Sequence, residues 1–398
     1  MTDDKQRKAP VLRFKGFHDD WEQRKLGDVA KFAKGIGYSK NDLKESGNPI
    51  ILYGRLYTNY ETVIKSVDTC AQLQKNTVYS KGGEIIVPAS GETAEDISIA
   101  SVVEPQGIIL GGDLNIIYPN TNLNSIFLAL AISYGKPHTE MRKRAQGKSI
   151  VHLHNSDLSN IKLKFPAKEE QSKIAEVIEK LNSLITLQQQ KLDNLIILKR
   201  AYLSMLFPTK EENNPKIRFA KFSNNWEKRK FNTFVERISN NTSCNFPNVT
   251  YDDIDSKNGI LNKKVSQLSR GKHGILFQKN DILYGKLRPY LNNIIKASFK
   301  GIAVGDFWIL RANEDPDFFL ALIYTSRYKY ITSISTGSKM PRADWKLVSN
   351  YNFYIPSIEE QKWIGNMISK LSYLILLEQK RILLFKKIKH FLLQNIFI

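Results

Sequence analysis

Apolar residues recur at steps of three and four from Glu169 to Phe207, and again from Glu359 to Phe397. The two stretches align without a gap at an offset of 190 residues, and both open on Glu-Glu-Gln. Each predicts one long amphipathic helix, roughly 58 Å long at 1.5 Å per residue. In the first, Ile174, Leu181, Leu195 and Tyr202 fall at multiples of seven, beside Val177, Ile178, Leu184, Ile185 and Leu192. In the second, Ile364, Leu371, Phe385 and Leu392 hold the matching places, beside Met367, Ile368, Leu374, Ile375 and Ile382. That spacing predicts a coiled-coil seam. Gln188 and Glu378 interrupt it at the same relative position, and Gly365 is the only Gly or Pro in either stretch. Neither helix can bury its stripe alone, so each is expected to pack on its own copy.

A second repeat precedes each helix. Pro10, Arg13, Phe14, Phe17, Trp21, Glu22, Arg24 and Lys25 return as Pro215, Arg218, Phe219, Phe222, Trp226, Glu227, Arg229 and Lys230. Each half of the chain is therefore a tag, a body and a helix. The bodies alternate short β-rich runs with Gly, Pro and Asn. Runs at 49–53, 83–88, 97–103, 107–110 and 114–118 precede a helical run at 123–134. Runs at 274–277, 281–284, 293–297 and 307–310 precede another at 318–330. Gly112-Asp113-Leu114-Asn115 echoes Gly305-Asp306-Phe307-Trp308, and Gly147-Lys148-Ser149 echoes Gly337-Ser338-Lys339. The pattern predicts an α/β (α+β) fold with an internal pseudo-twofold repeat. Two globular domains, residues 1–166 and 209–356, are joined by two long antiparallel coiled-coil helices, residues 167–208 and 357–398. Tags and helices stay alike while the bodies diverge, as expected if the two bodies recognise different things.

Charge narrows the class of partner. Over 398 residues the formal net charge is +20, with a pI near 9.6. An excess of that size points to a polyanion, nucleic acid first and an anionic membrane surface second. No apolar run reaches the ~18 residues of a membrane span, and MTDDKQRKAP is not a signal peptide. The two cysteines, Cys70 and Cys244, lie far apart, and no Cys/His spacing suggests zinc. The chain reads as cytoplasmic, reduced and free of metal and cofactor.

Catalytic motifs are hard to find. Gly-Lys-Ser ends residues 142–149, but a phosphate-binding loop needs Gly where Arg142 stands. No Asn-Pro-Pro-aromatic or Asp-Pro-Pro-Tyr tetrad appears, and no Phe-x-Gly-x-Gly loop. Asp317 and Asp344 with Lys346 imitate a metal-dependent nuclease set, yet Asp317 begins a predicted helix, where a carboxylate stabilises the N-terminus. His152 and His154 alternate as on a strand and lack a third ligand. A stand-alone DNA methyltransferase or nuclease stays open as the alternative.

What is present is basic and aromatic. One cluster holds Tyr53, Arg55, Tyr57 and Asn59. A second holds Tyr284, Lys286, Arg288, Tyr290 and Asn292. A third holds Arg142, Arg144, Lys148, Ser149 and nearby His152, echoed by Ser338, Lys339 and Arg342. Arg can bond guanine, Asn adenine, and Tyr a phosphate. A Gly loop with Lys and Ser suits backbone phosphates. These residues are the candidate DNA contacts.

PKIRFAKFSNNWEKRK, DILYGKLRPYLNN and STGSKMPRADWKLVSNYNFYIPSIEEQ, with the helix after them, resemble the specificity subunit of Type I restriction–modification enzymes. The similarity covers the whole chain and includes its duplication. It implies that the bodies are target recognition domains, each reading one half of a split double-stranded DNA sequence, and that the antiparallel helices act as a ruler. It implies no catalysis by the chain itself. The partners would be two methyltransferase (modification) subunits and, through them, restriction/translocase subunits. The first body departs from the phrase in the second: Glu84-Ile85-Ile86-Val87-Pro88-Ala89-Ser90-Gly91 stands where Asp281-Ile282-Leu283-Tyr284-Gly285-Lys286-Leu287-Arg288 would be.

Overall fold

The computed structural model describes residues 9–147, 150–209, 212–334 and 340–397. The chain divides into two compact units, Met1–Thr186 with Leu383–Ile398, and Leu187–Ile382. Two helices, Lys168–Met205 and Ile358–Ile396, each begin in one unit and end in the other.

In the first unit, a five-stranded sheet runs in the order Ala30–Lys34, Leu114–Pro119, Glu84–Pro88, Ser101–Val103, Val63–Ile64. Glu84–Pro88 is buried at every position, its apolar Ile85, Ile86 and Val87 following a buried acid, Glu84. Helix Ser125–Tyr134 packs into the same core, with Phe127 to Ile132 all buried. Asn124 caps it by accepting from the Phe127 amide at 3.0 Å. Tag strand Glu22–Lys25 pairs antiparallel with Lys162–Phe165. Ile174 and Ile178, near the start of the first long helix, share this core with Leu393, Ile396 and Phe397, at the end of the second.

The second unit repeats the plan with a four-stranded sheet: Val235–Ile238, Phe307–Ala312, Ile282–Gly285, Ile294–Lys296. Tag strand Glu227–Lys230 pairs with Asn352–Ile355. The helical run expected at 318–330 is two helices, Pro316–Ile323 and Ser326–Ser333. The Thr325 side chain accepts from the Tyr328 amide and starts the second, a capping role that an apolar pattern does not reveal.

Within each unit the long helices lie antiparallel. In the second, Leu192 clusters with Ile375 and Ile382, while Leu206 and Phe207 share a core with Ile364 and Ile368. The heptad assignment needs two corrections. Leu184 and Leu374 are each 41% exposed, and Leu393 and Ile396 are buried beyond Leu392. A straight helix drifts about 20° per heptad against a strict seven-residue repeat, so the buried stripe rotates off the seam. At its middle, Glu378 is buried and ion-paired to Lys191 at 2.7 Å and Arg381 at 3.2 Å. Its Oε2 and the Oε1 of Gln188 are buried without partners among the described residues. A polar residue in such a seam fixes register at a cost in stability.

The repeated Glu-Glu-Gln is a latch. Glu170 is buried and takes a bidentate bond from Arg13 of its tag, at 2.9 and 2.6 Å. Glu360 takes the same pair from Arg218, also at 2.9 and 2.6 Å. Gln171 and Gln361 donate to the Pro166 and Pro356 carbonyls, closing the turn into each helix. Each tag also touches a helix end: the Leu12 amide donates to the Asn395 carbonyl, and the Ile217 amide to the Met205 carbonyl.

At Gly365 the second long helix packs tightly against the start of helix Pro316–Ile323. A Cβ there would lie 2.5 Å from both Asp315 Oδ1 and the Phe318 amide nitrogen. Gly365→Ala should lower the melting temperature although Ala favours helices by about 1 kcal/mol. Overpacking costs typically about 1–3 kcal/mol. Unchanged or raised stability in thermal unfolding would show that the helix gives way.

Candidate nucleic-acid interface

In the second body, strand Ile282–Gly285 runs between Phe307–Ala312 and Ile294–Lys296 and delivers residues 286–293 to its end. A Cβ at Gly285 would meet Asn293 at 2.9 Å, so the turn needs Gly. Backbone bonds clip this loop in place. The Lys286 amide donates to the Asp306 carbonyl, the Arg288 amide to the Pro341 carbonyl, and the Ala343 amide to the Lys286 carbonyl. Arg288 (φ 49°) and Asn292 (φ 54°) sit in the left-handed region on either side of the turn Pro289–Leu291. Strained non-glycine residues held this way cluster at functional sites.

The side chains form an exposed basic strip. Arg342 reaches Asp306 at 3.1 Å and Lys286 reaches it at 3.5 Å. Arg288 is exposed, with no side-chain partner among the described residues. Tyr290 is 66% exposed, and the Asn292 side chain donates to the Tyr290 carbonyl at 3.0 Å. Tyr284 corrects the sequence reading. It is buried, stacks on Trp308 at 5.5 Å, and faces Tyr328. Burial pushes its phenol up to about 12. It supports the strip from the core and does not face solvent. Ser338 and Lys339 lie outside the described residues, as do Lys148 and Ser149.

The first body has the same frame and different side chains. Pro88 pairs with Leu114 as Gly285 pairs with Phe307. The Ala89 amide donates to the Asp113 carbonyl as Lys286 does to Asp306. Ser90 pairs with His152 as Leu287 does with Arg342. Ala89, Gly91 and His152 thus stand where Lys286, Arg288 and Arg342 stand. His152 is exposed, its Nδ1 lies 2.9 Å from Ser90 Oγ, and its ring stacks on His154 at 6.5 Å.

The other first-body candidates sit elsewhere. Tyr53–Thr58 is a short helix, with the Tyr53 and Tyr57 rings 6.2 Å apart and Asn59 exposed just after it. Arg55 is a second correction. Its guanidinium bonds Glu61 at 2.7 Å and Asp68 at 2.8 Å, and its side chain is 15% exposed, so it is occupied by structural ion pairs. Arg142 pairs with Glu95 at 2.8 Å. Arg144 is half-buried with no partner among the described residues.

The acidic pairs that imitated a nuclease have structural partners. Asp344 caps helix Trp345–Asn350 by accepting from the Lys346 amide, and Asp317 bonds Lys296 and Ser369. Among the described residues, no group of three or more His, Cys, Asp or Glu is placed to hold a metal, and no helix is long and apolar enough to cross a membrane. A contrast that sequence reasoning missed lies behind the strips. Asp281 is buried and holds Arg311 bidentately at 2.7 Å. Its counterpart Glu84 has no such cation, since Tyr118 takes the place of Arg311, and burial pushes its carboxyl up.

Comparison with known proteins places this frame. The model of the Type I restriction modification DNA specificity domain matches residues 18–196 and again 218–384. The specificity subunit of the Type I restriction enzyme MjaVIII from Methanocaldococcus jannaschii is 18% identical over 392 residues, covering 91% of this chain and 88% of that protein. The specificity subunit of the Type I restriction enzyme EcoDI from Escherichia coli is 22% identical over 266 residues, covering 58% of this chain and 60% of that protein. The crystal structure of a Type I restriction–modification S subunit from M. genitalium superposes with a TM-score of 0.64 at 15% identity, covering 98% of this chain and 99% of that one. The chain therefore belongs to the Type I restriction modification DNA specificity family, and it carries two copies of the domain that defines it.

Proposed function

We propose that each body reads one half of a bipartite double-stranded DNA target, and that the two long helices set the gap between the halves. The observation that carries this is the pair of strips on one frame. Lys286, Arg288 and Arg342 of the second body stand at the positions that Ala89, Gly91 and His152 hold in the first, while latch and helix are shared. A duplicated scaffold with divergent side chains at matching positions is what two different half-sites require.

The chain is a specificity subunit and not itself the enzyme. The reading as a stand-alone methyltransferase or nuclease finds no support in the family match. Its expected partners are two methyltransferase subunits, with restriction/translocase subunits recruited through them. The helices carry apolar side chains suited to such docking: Leu187, Ile197, Tyr373, Leu383, Leu384 and Phe391 are each more than half exposed. Burying them against a partner would stabilise the assembly at about 25 cal/mol per Å² of apolar surface.

DNA binding of the full chain, measured by anisotropy across a salt series, tests the reading. Log affinity should fall linearly with log salt, with a slope near 0.9 per neutralised phosphate. Arg288→Ala should lose about 1–3 kcal/mol of discrimination in one half-site only. Salt-independent binding would oppose a DNA role, and an equal loss on every sequence would make Arg288 a phosphate contact.

A further inference from the structure

We infer that Asp113 is a specificity-determining residue of the first body, its carboxylate accepting a hydrogen bond from the exocyclic amino group of a cytosine in the major groove. The inference rests on the DNA-reading function proposed above and assigns one of its contacts. Asp113 and Asp306 are equivalent: each precedes the second strand of its sheet, and each carbonyl accepts the amide from the end of the neighbouring strand, at 2.7 and 2.9 Å. In the second body the carboxylate is occupied, with Arg342 at 3.1 Å and Lys286 at 3.5 Å. There it holds two cations in place. In the first body both cations are gone, replaced by His152 and Ala89. Asp113 is exposed, sits at φ 58°, and has no side-chain partner among the described residues.

The geometry at Asp306 shows what this position can do: it offers oxygen atoms to nitrogen donors standing at the strip. With no side-chain donor among the described residues, the exposed Asp113 offers them to solvent. On a chain of net charge +20 that approaches a polyanion, a free carboxylate in the strip repels phosphates. Only a donor offsets that repulsion. The base edge with an amino donor and no acceptor beside it on the same base is cytosine N4, whereas adenine N6 lies next to the N7 acceptor. Exposed His152 stands beside it, its Nδ1 held by buried Ser90 Oγ, and supplies its other ring nitrogen for a neighbouring contact.

The test uses the full chain and a library of randomised duplexes, with selected sequences read out for wild type, Asp113→Gly and Asp113→Asn. Both substitutes tolerate the left-handed backbone. The Gly variant should lose a preference for cytosine at one position of one half-site, by about 5- to 150-fold. Its affinity for unrelated DNA should hold or rise, opposite to any Lys or Arg variant. The Asn variant should shift that position toward adenine, which an amide can bond twice. The other half-site and the gap should not change. Unchanged preferences in both variants, or an equal loss of affinity on all sequences, would overturn the assignment while leaving the functional reading intact. A wild-type chain that selects no split target would overturn both.

Discussion

A chain lengthened by one heptad in each long helix, after Gln190 and after Lys380, is expected to recognise the same two half-sites with a wider gap. Seven residues add about 10 Å of helix, which is about three base pairs at 3.4 Å each. Both insertions are needed because both helices are held at both ends. The first is latched at Glu170 and touched by the second tag at Met205; the second is latched at Glu360 and touched by the first tag at Asn395. Lys191 and Leu192 follow the first insertion while Ile375 and Glu378 precede the second, so Leu192 stays on Ile375 and Lys191 on Glu378, and a whole heptad keeps the stripes facing each other. Mapping of methylated sites in cells carrying the variant and its methyltransferase partner reads the gap directly. An unchanged gap would remove the helices from the spacing mechanism.

Arg218→Ala is expected to give the largest loss of stability of any single surface-to-helix contact. Glu360 is 1% exposed and receives two bonds from that guanidinium. Removing the cation leaves a buried charge uncompensated, at a cost of about 3–5 kcal/mol. Arg13→Ala, which strips Glu170 in the same way, should match it. Replacing pair and contact together, as in Arg218→Met with Glu360→Leu, should recover most of the loss, because an apolar pair of similar volume is often neutral. Urea unfolding of the single and double variants separates the cases. A loss below about 1 kcal/mol in the singles would make the latch a surface pair.

The helices were legible because each is long, strongly periodic and present twice. Their ends match expectation within two residues: Lys168–Met205 against 169–207. The latch was legible as a recurrence of Glu-Glu-Gln but not as a contact, since Arg13 lies 157 residues from Glu170. The basic strips were legible only in part. Tyr284 reads like any aromatic beside cations until strand pairing on both sides shows it buried. Arg55 looked free because its acceptors Glu61 and Asp68 are six and 13 residues away, outside the cluster. Asp113 and Asp306 were visible as an echo of Gly-Asp. Their shared position emerged only from the register that sets Leu114 against Pro88 and Phe307 against Gly285.

The two bodies are proposed to read separate half-sites through interchangeable frames. The most direct measurement of this is methylation mapping of a chain in which the first body, residues 9–166, also replaces residues 214–356, with both helices kept. The expected result is a split target whose two halves carry the same recognition sequence, separated by the original gap. A second half-site that keeps its original sequence would contradict it.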